Sequence, residues 1–183
     1  MLEAIARLTA RECLLIASSR GATMDGSPDK LASLVDVVRA LDRLGVSHAL
    51  VGGVAVGIRS GVPRATLDTD IAVRSTIASG SIRTALLGAG LALTGMFAHS
   101  MKLRHPSGEP VQIIFDPVFD PMIERAEPLD VAGVQVHVVT TADLIAMKER
   151  AAADPARRPS KALRDRADVA LLRGDVPDPN EGW

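Results

Sequence analysis

Two carboxylates two residues apart, Asp68 and Asp70, stand at the head of an apolar run, Ile71-Ala72-Val73. In an extended strand residues two apart point to the same face, so both side chains can converge on one point. Two ionised carboxylates that close repel, and one is driven to hold a proton unless a cation sits between them. A hard divalent ion with oxygen ligands, Mg²⁺ in most cells, meets that demand. Upstream, Ala49-Leu50-Val51 runs straight into Gly52-Gly53. Without side chains, that corner lets backbone approach a phosphate and aim N–H groups at it, and a following helix adds partial positive charge at its N-terminus. A phosphate cradle beside a metal-binding acid pair points to phosphoryl or nucleotidyl transfer.

The elements that must position these groups are legible around them. Ala49 to Val51 reads as a short buried strand, and Val54 to Ile58 as a helix packed on a sheet. Gly61, Val62 and Pro63 close that helix, because proline biases the residue before it away from helix. Arg59 and Arg64 can meet phosphate as planar forks, and Thr66 can orient the loop before Asp68. A helix is expected over Leu31 to Leu44, capped by Ser27 or Asp29, with apolar residues at three- and four-residue intervals. A second is expected over Ile77 to Leu87. Short strands follow at Leu91 to Leu93, Met101 to Leu103 and Val111 to Phe115, with one or two more between Val131 and Val139 around Gly133. Thr141 can cap a helix running to about Ala152, and a last helix runs from about Lys161 to Leu172. This order predicts an α/β fold: a small mixed sheet flanked by helices, with helices at the C-terminus.

The stretch VGGVAVGIRSGVPRATLDTDIAV resembles the nucleotidyltransferase superfamily of DNA polymerase beta type, whose signature is a Gly-Gly or Gly-Ser turn followed by an Asp-x-Asp strand. It looks closest to the small bacterial branch that includes the AbiE-type toxins of toxin–antitoxin pairs. TTADLIAMKERAAADPARRPSKALRDRADVALL resembles the same branch, in which a helix bearing an apolar-Lys motif precedes an Arg-Asp-x-x-Asp helix. The resemblance covers about Lys30 to Leu172. It implies the minimal nucleotidyltransferase fold, Asp68 and Asp70 as catalytic metal ligands, a nucleoside triphosphate (NTP) donor over Gly52 and Gly53, and Lys148 near the triphosphate. It also implies a third acid on a neighbouring strand, where GEPVQIIFDP offers Gln112. A neutral amide can ligate a metal but cannot act as a base. Asp116 shares the strand parity of Gln112, roughly 13 Å further along, and serves as the third catalytic acid if the strand is shifted or bent. The implied acceptor is a hydroxyl of tRNA, another RNA or a protein, and the implied partner is a cognate antitoxin. A catalytically silent domain that binds a nucleotide or a partner protein is the alternative that Gln112 favours.

At 183 residues and 47% hydrophobic content, the chain fits one globular domain. The expected division is an extension and linker over 1–29, the nucleotidyltransferase-like domain over 30–175 and an irregular tail over 176–183. The formal net charge of −1 gives no global pull toward nucleic acid, so any such site must be local. Lys148 to Arg173 is such a basic segment, although a solvated helical face has the same composition. With no Tyr and only 2% aromatic residues, a stacking platform for single strands is excluded. One cysteine, Cys13, excludes an internal disulfide or cysteine metal cluster, and the four histidines show no metal-ligand spacing. Arg164, Asp165 and Asp168 are expected to form a polar pair or network between the last two helices, Arg164 and Asp168 being four apart and facing each other. No apolar run is long enough for a membrane span and the start lacks the pattern of an export signal, so a cytoplasmic location is expected.

Overall fold

The computed structural model describes residues 29–62 and 64–175. Residues 1–28 of the expected extension and linker, Cys13 and Ser27 among them, Pro63 and the tail over 176–183 lie outside the described residues.

Helix α1 (Lys30–Arg43) starts at Asp29, whose carboxylate accepts the Ala32 N–H at 2.9 Å, so the cap is Asp29. Strand β1 (His48–Val51) is buried along its whole length and turns at once into α2 (Gly52–Ser60). β2 (Thr69–Val73) returns antiparallel to β1, pairing Val51 with Asp70 and Leu50 with Ile71. Helix α3 (Ser79–Gly88) leads to β3 (Ala92–Phe97), β4 (Ser100–Arg104) and β5 (Pro110–Ile114). β5 lies parallel to β2, with Asp70 opposite Gln112. A 3₁₀ turn (Pro117–Phe119) and α4 (Asp120–Arg125) connect to the hairpin β6 (Glu127–Val131) and β7 (Val134–Val138). The strands around Gly133 are therefore two, and β6 begins earlier than its sequence suggests. Helices α5 (Thr141–Ala153) and α6 (Pro159–Leu172) finish the described chain. The α5 cap is Thr140, one residue before the expected Thr141, and its hydroxyl accepts the Asp143 N–H at 3.2 Å.

Among the described residues, seven strands form one mixed sheet in the order β3-β4-β5-β2-β1-β7-β6. Its centre pairs parallel on both sides of the β1–β2 antiparallel pair, through β2–β5 and β1–β7. Strands buried this way read as near-continuous apolar runs. Leu50, Ile71, Ala72, Val73, Ile113 and Val136 are all fully buried. α1 and α3 pack on each other and on the sheet; α2 packs on β1 and β2 and against α5 and α6. This last contact brings the C-terminal helices to the Gly-Gly corner.

Arg59, read from sequence as a phosphate ligand, does something else. Its guanidinium donates to the carbonyls of Val139 at 2.9 Å and Val138 at 2.7 Å and pairs with Glu127 at 2.7 Å. It therefore fastens α2 to the end of β7. Replacing it by Met leaves two carbonyls without their charged donor; urea unfolding is expected to show a loss of about 1–3 kcal/mol.

Candidate active site

The open end of β1 and β2 faces a cavity of about 420 Å³ lined by Gly52, Gly53, Arg64, Thr66, Asp68, Asp70, Gln112, Lys148, Arg157, Lys161, Arg164 and Asp165 among others. Asp68 lies one residue before β2 and Asp70 within it, and both line this cavity. Gly52 adopts φ +70°, and a Cβ there would collide with the Asp70 carboxylate. A Cβ on Gly53 would collide with the Arg64 guanidinium and lie 2.7 Å from the Thr66 hydroxyl. Glycine is thus required twice for close approach. Val51 precedes α2 without any side-chain cap, so the first N–H groups of that helix carry their partial positive charge to the cavity wall. Thr66 places its hydroxyl 3.4 Å from both the carbonyl and the carboxylate of Asp68.

The electrostatics follow from this crowding. Burial first, then the neighbouring Asp68 charge, push the Asp70 carboxyl up to about 7, against the pull of Lys148, Lys30 and Arg64. Repulsion of this sign is relieved by a cation between the two acids. Two carboxylates and an amide oxygen are too few for an all-protein cage. Among the described residues no group of three or more His, Cys, Asp or Glu side chains could hold a metal ion. The donor set nevertheless fits Mg²⁺, which is commonly held by one or two carboxylates plus substrate phosphates and waters.

The cations of the cavity are held from behind. Asp168 accepts from Nε and Nη2 of Arg64, the Nη2 contact being 3.0 Å, and receives Lys148 Nζ at 2.8 Å. Asp165 receives Lys148 at 3.0 Å and Arg157 Nη2 at 2.7 Å. Burial alone would raise the Asp165 carboxyl, but the bonds and charges of Lys148 and Arg157 outweigh it and hold the group below its usual range. Asp165 and Asp168, three apart on α6, are both buried. The expected Arg164–Asp168 pair does not form. Asp168 turns inward to Arg64 and Lys148, while Arg164 is left exposed at the cavity wall. Arg157 is a site residue that sequence reading missed.

Gln112 comes to the cavity and Asp116 does not. Strand β5 ends at Ile114, and the Asp116 carboxylate caps the following 3₁₀ turn by accepting the Val118 N–H at 3.0 Å. The structure thus brings together Gly52, Gly53, Arg64, Thr66, Asp68, Asp70 and Lys148, with Gln112 where the third acid is expected.

The sequence model of the nucleotidyl transferase AbiEii toxin, type IV toxin–antitoxin system, matches residues 37–181. The chain belongs to this family. In three dimensions it is similar to an antigenic nucleotidyltransferase-like protein from Paracoccidioides brasiliensis, with 25% identity, a TM-score of 0.54 and coverage of 83% of this chain and 79% of that one. It is also similar to the lincosamide antibiotic adenylyltransferase LnuA in its lincomycin-bound form, at 13% identity, TM-score 0.55, and 76% and 94% coverage. ANT(2")-Ia in complex with adenylyl-2"-tobramycin matches at 15% identity, TM-score 0.54, and 80% and 90% coverage. Comparison with curated proteins finds no match. The AbiEii-family chain thus has a nucleotidyltransferase-like fold: a mixed seven-stranded sheet with C-terminal helices. Among its described residues no helix is long and apolar enough to cross a membrane.

The raised Asp70 carboxyl has a measurable consequence. Its value in the fold, about 7, exceeds the ordinary 3.8, so the fold binds the proton more tightly than the unfolded chain does. Stability is therefore lost as pH rises between those values. Asp70→Asn escapes this penalty. Without divalent ions it is expected to match the wild type near pH 4 and exceed it at pH 8 by a few kcal/mol, on the order of the linkage limit. Thermal melts across pH check this; equal melting points at pH 8 contradict it. Gly52→Ala is expected to destabilise by roughly 1–3 kcal/mol, from its left-handed backbone and the collision with Asp70.

Proposed function

We propose that this AbiEii-family chain transfers a nucleoside monophosphate from an NTP to a hydroxyl acceptor on tRNA or another RNA. The observation that carries the reading is Asp70 lying against the uncapped Gly52-Gly53 corner, in one cavity with Asp68, Arg64 and Lys148. The triphosphate lies over the N-terminus of α2, where backbone N–H groups and Lys148 meet its oxygens. Asp68 and Asp70 would hold Mg²⁺, which would supply charge neutralisation of the phosphates and of the leaving pyrophosphate. The acceptor oxygen attacks the α-phosphorus in line; the bond to the bridging oxygen breaks and pyrophosphate leaves with its electron pair. The hydroxyl proton goes to solvent, because Gln112 cannot accept it.

Two exposed cations at the cavity wall, Lys161 and Arg164, carry no acid partner among the described residues, and they suit a polyanionic acceptor. A cationic antibiotic would need free carboxylates beyond the metal pair. Asp165 is the further acid lining the cavity, and it is taken by Lys148 and Arg157. Location in the cytoplasm and a cognate antitoxin as functional partner accord with this reading.

The test is incubation with each α-labelled NTP, Mg²⁺ and total RNA. Wild type is expected to label RNA, and Asp70→Asn to lose at least about 100-fold of that rate, the scale for losing a preorganised charge in a site. Transfer that survives the substitution removes Asp70 from the mechanism. Gln112 opposite Asp70 favours the second reading, a silent domain that binds nucleotide or a partner protein. Gln112→Asp separates the two: in an enzyme short of one acid it raises turnover, and in a silent domain it restores none.

A further inference from the structure

On the far side of β2 from the cavity lies a second charged group that the reaction described above does not use. Lys30, the first residue of α1, is 5% exposed, and Glu109, just ahead of β5, is 1% exposed. Lys30 Nζ pairs with Glu109 Oε1, and the same oxygen accepts the Thr69 hydroxyl at 3.2 Å. Thr69 is the residue between Asp68 and Asp70. In the β2–β5 register Thr69 lies opposite the buried Val111 and Asp70 opposite Gln112, so the hydroxyl points inward while its neighbour's carboxylate faces the cavity.

A buried ion pair is poor evidence of a need for stability, since apolar side chains of similar volume commonly do as well or better. Here the turn between β4 and β5, which carries Glu109, already has its own latches to α1. Asp29 N–H donates to Ser107 Oγ at 3.1 Å, and His105 Nε2 meets Asp36 at 3.2 Å. The Lys30–Glu109 pair therefore adds little to holding the turn, and its distinctive contact is the hydroxyl between the two acids. Its charges also reach across the strand: although burial dominates both groups, Lys30 acts on Asp70 and Asp68 acts on Glu109. Lys30 lies ahead of residues 37–181, the stretch matched to the family.

We propose that Lys30, Glu109 and Thr69 form a buried positioning cluster that fixes the strand head so that Asp68 and Asp70 converge on a divalent cation. This rests on the nucleotidyl-transfer reading of the cavity. The cluster touches neither substrate nor metal. It acts through the Thr69 backbone, as outer-shell partners orient ligands in metal sites.

The test titrates the full chain with Mn²⁺, alone and with ATP, by electron paramagnetic resonance, alongside thermal melts. Thr69→Val keeps a β-branched side chain and removes only the hydroxyl. The double variant Lys30→Met/Glu109→Leu replaces the pair with apolar groups. Both are expected to melt near or above wild type and to bind Mn²⁺ about tenfold or more weakly. A purely structural cluster gives the opposite pattern, with lowered melting and Mn²⁺ affinity within twofold of wild type, and that result overturns the proposal. If the double variant fails to fold, Thr69→Val alone decides. Wild type that binds no Mn²⁺ under either condition sinks the reading of the cavity, and this inference falls with it. Wild type that binds while the folded variants bind equally well sinks the inference alone.

Discussion

The repulsion between Asp68 and Asp70 is the constraint around which the rest of the molecule is arranged. Two acids converge at the open end of a central strand, one of them pressed against the backbone of Gly52. Bulk water does not relieve this arrangement, because Asp70 is half-buried among Arg64, Lys148 and the glycine corner. Such a site is stable in one of two ways: a proton on one acid, or a cation between them. The first sets in for the protein alone as pH falls below about 7, where the Asp70 carboxyl takes up its proton. The second couples folding energy to metal and nucleotide binding, since a ligand that binds only the native state stabilises it.

The C-terminal helices supply the opposite charge under control. Arg64 comes from the loop before β2, Lys148 from α5 and Arg157 from the turn before α6; all three converge on Asp165 and Asp168. A free lysine or arginine at a cavity rim loses side-chain entropy when it meets a phosphate. Here that ordering is complete before any ligand arrives. The acids also moderate the field, so Lys148 reaches the cavity as half of a paired system. This explains why an aspartate pair three apart on α6 is buried when charged groups on such a helix normally face water.

What the sequence showed and what it hid divide along chain separation. The strand–corner–strand unit is local: apolar runs, Gly52-Gly53 and Asp68-x-Asp70 lie within a few turns of chain, and periodicity plus glycine placement read it. The position of Gln112 came from the family resemblance, because strand parity alone fixes neither the neighbouring strand nor its register with Asp70. The end of β5 was legible to within one residue, Phe115 expected against Ile114 observed, but the placement of Asp116 was not. Asp116 precedes a proline, a dipeptide suited to capping a turn, and that local preference ended the strand before parity could carry the acid back to the cavity. The role of Arg59 was not legible because its carbonyl partners lie at and just past the end of β7, which becomes the neighbour of β1 only through the global topology. Lys30 and Glu109 are 79 residues apart and carry no spacing signal. The same holds for Arg64 and Asp168, 104 apart.

The substitution of an amide for an acid opposite Asp70 changes what the site can demand of its substrates. With three carboxylates a protein can hold metal and deprotonate an acceptor by itself. With two and Gln112, part of the coordination sphere has to arrive on the nucleotide, and no general base faces Asp70 from β5. Selectivity then shifts from the chemistry of the acceptor hydroxyl to its placement, because proximity and in-line geometry are what remain for the protein to supply. In the reading proposed above, placement is served by surface charge, and the exposed Lys161 and Arg164 at the cavity wall suit an acceptor that carries phosphates. Two cations without an acid partner among the described residues at one cavity wall supply a local field that the chain's net charge of −1 does not.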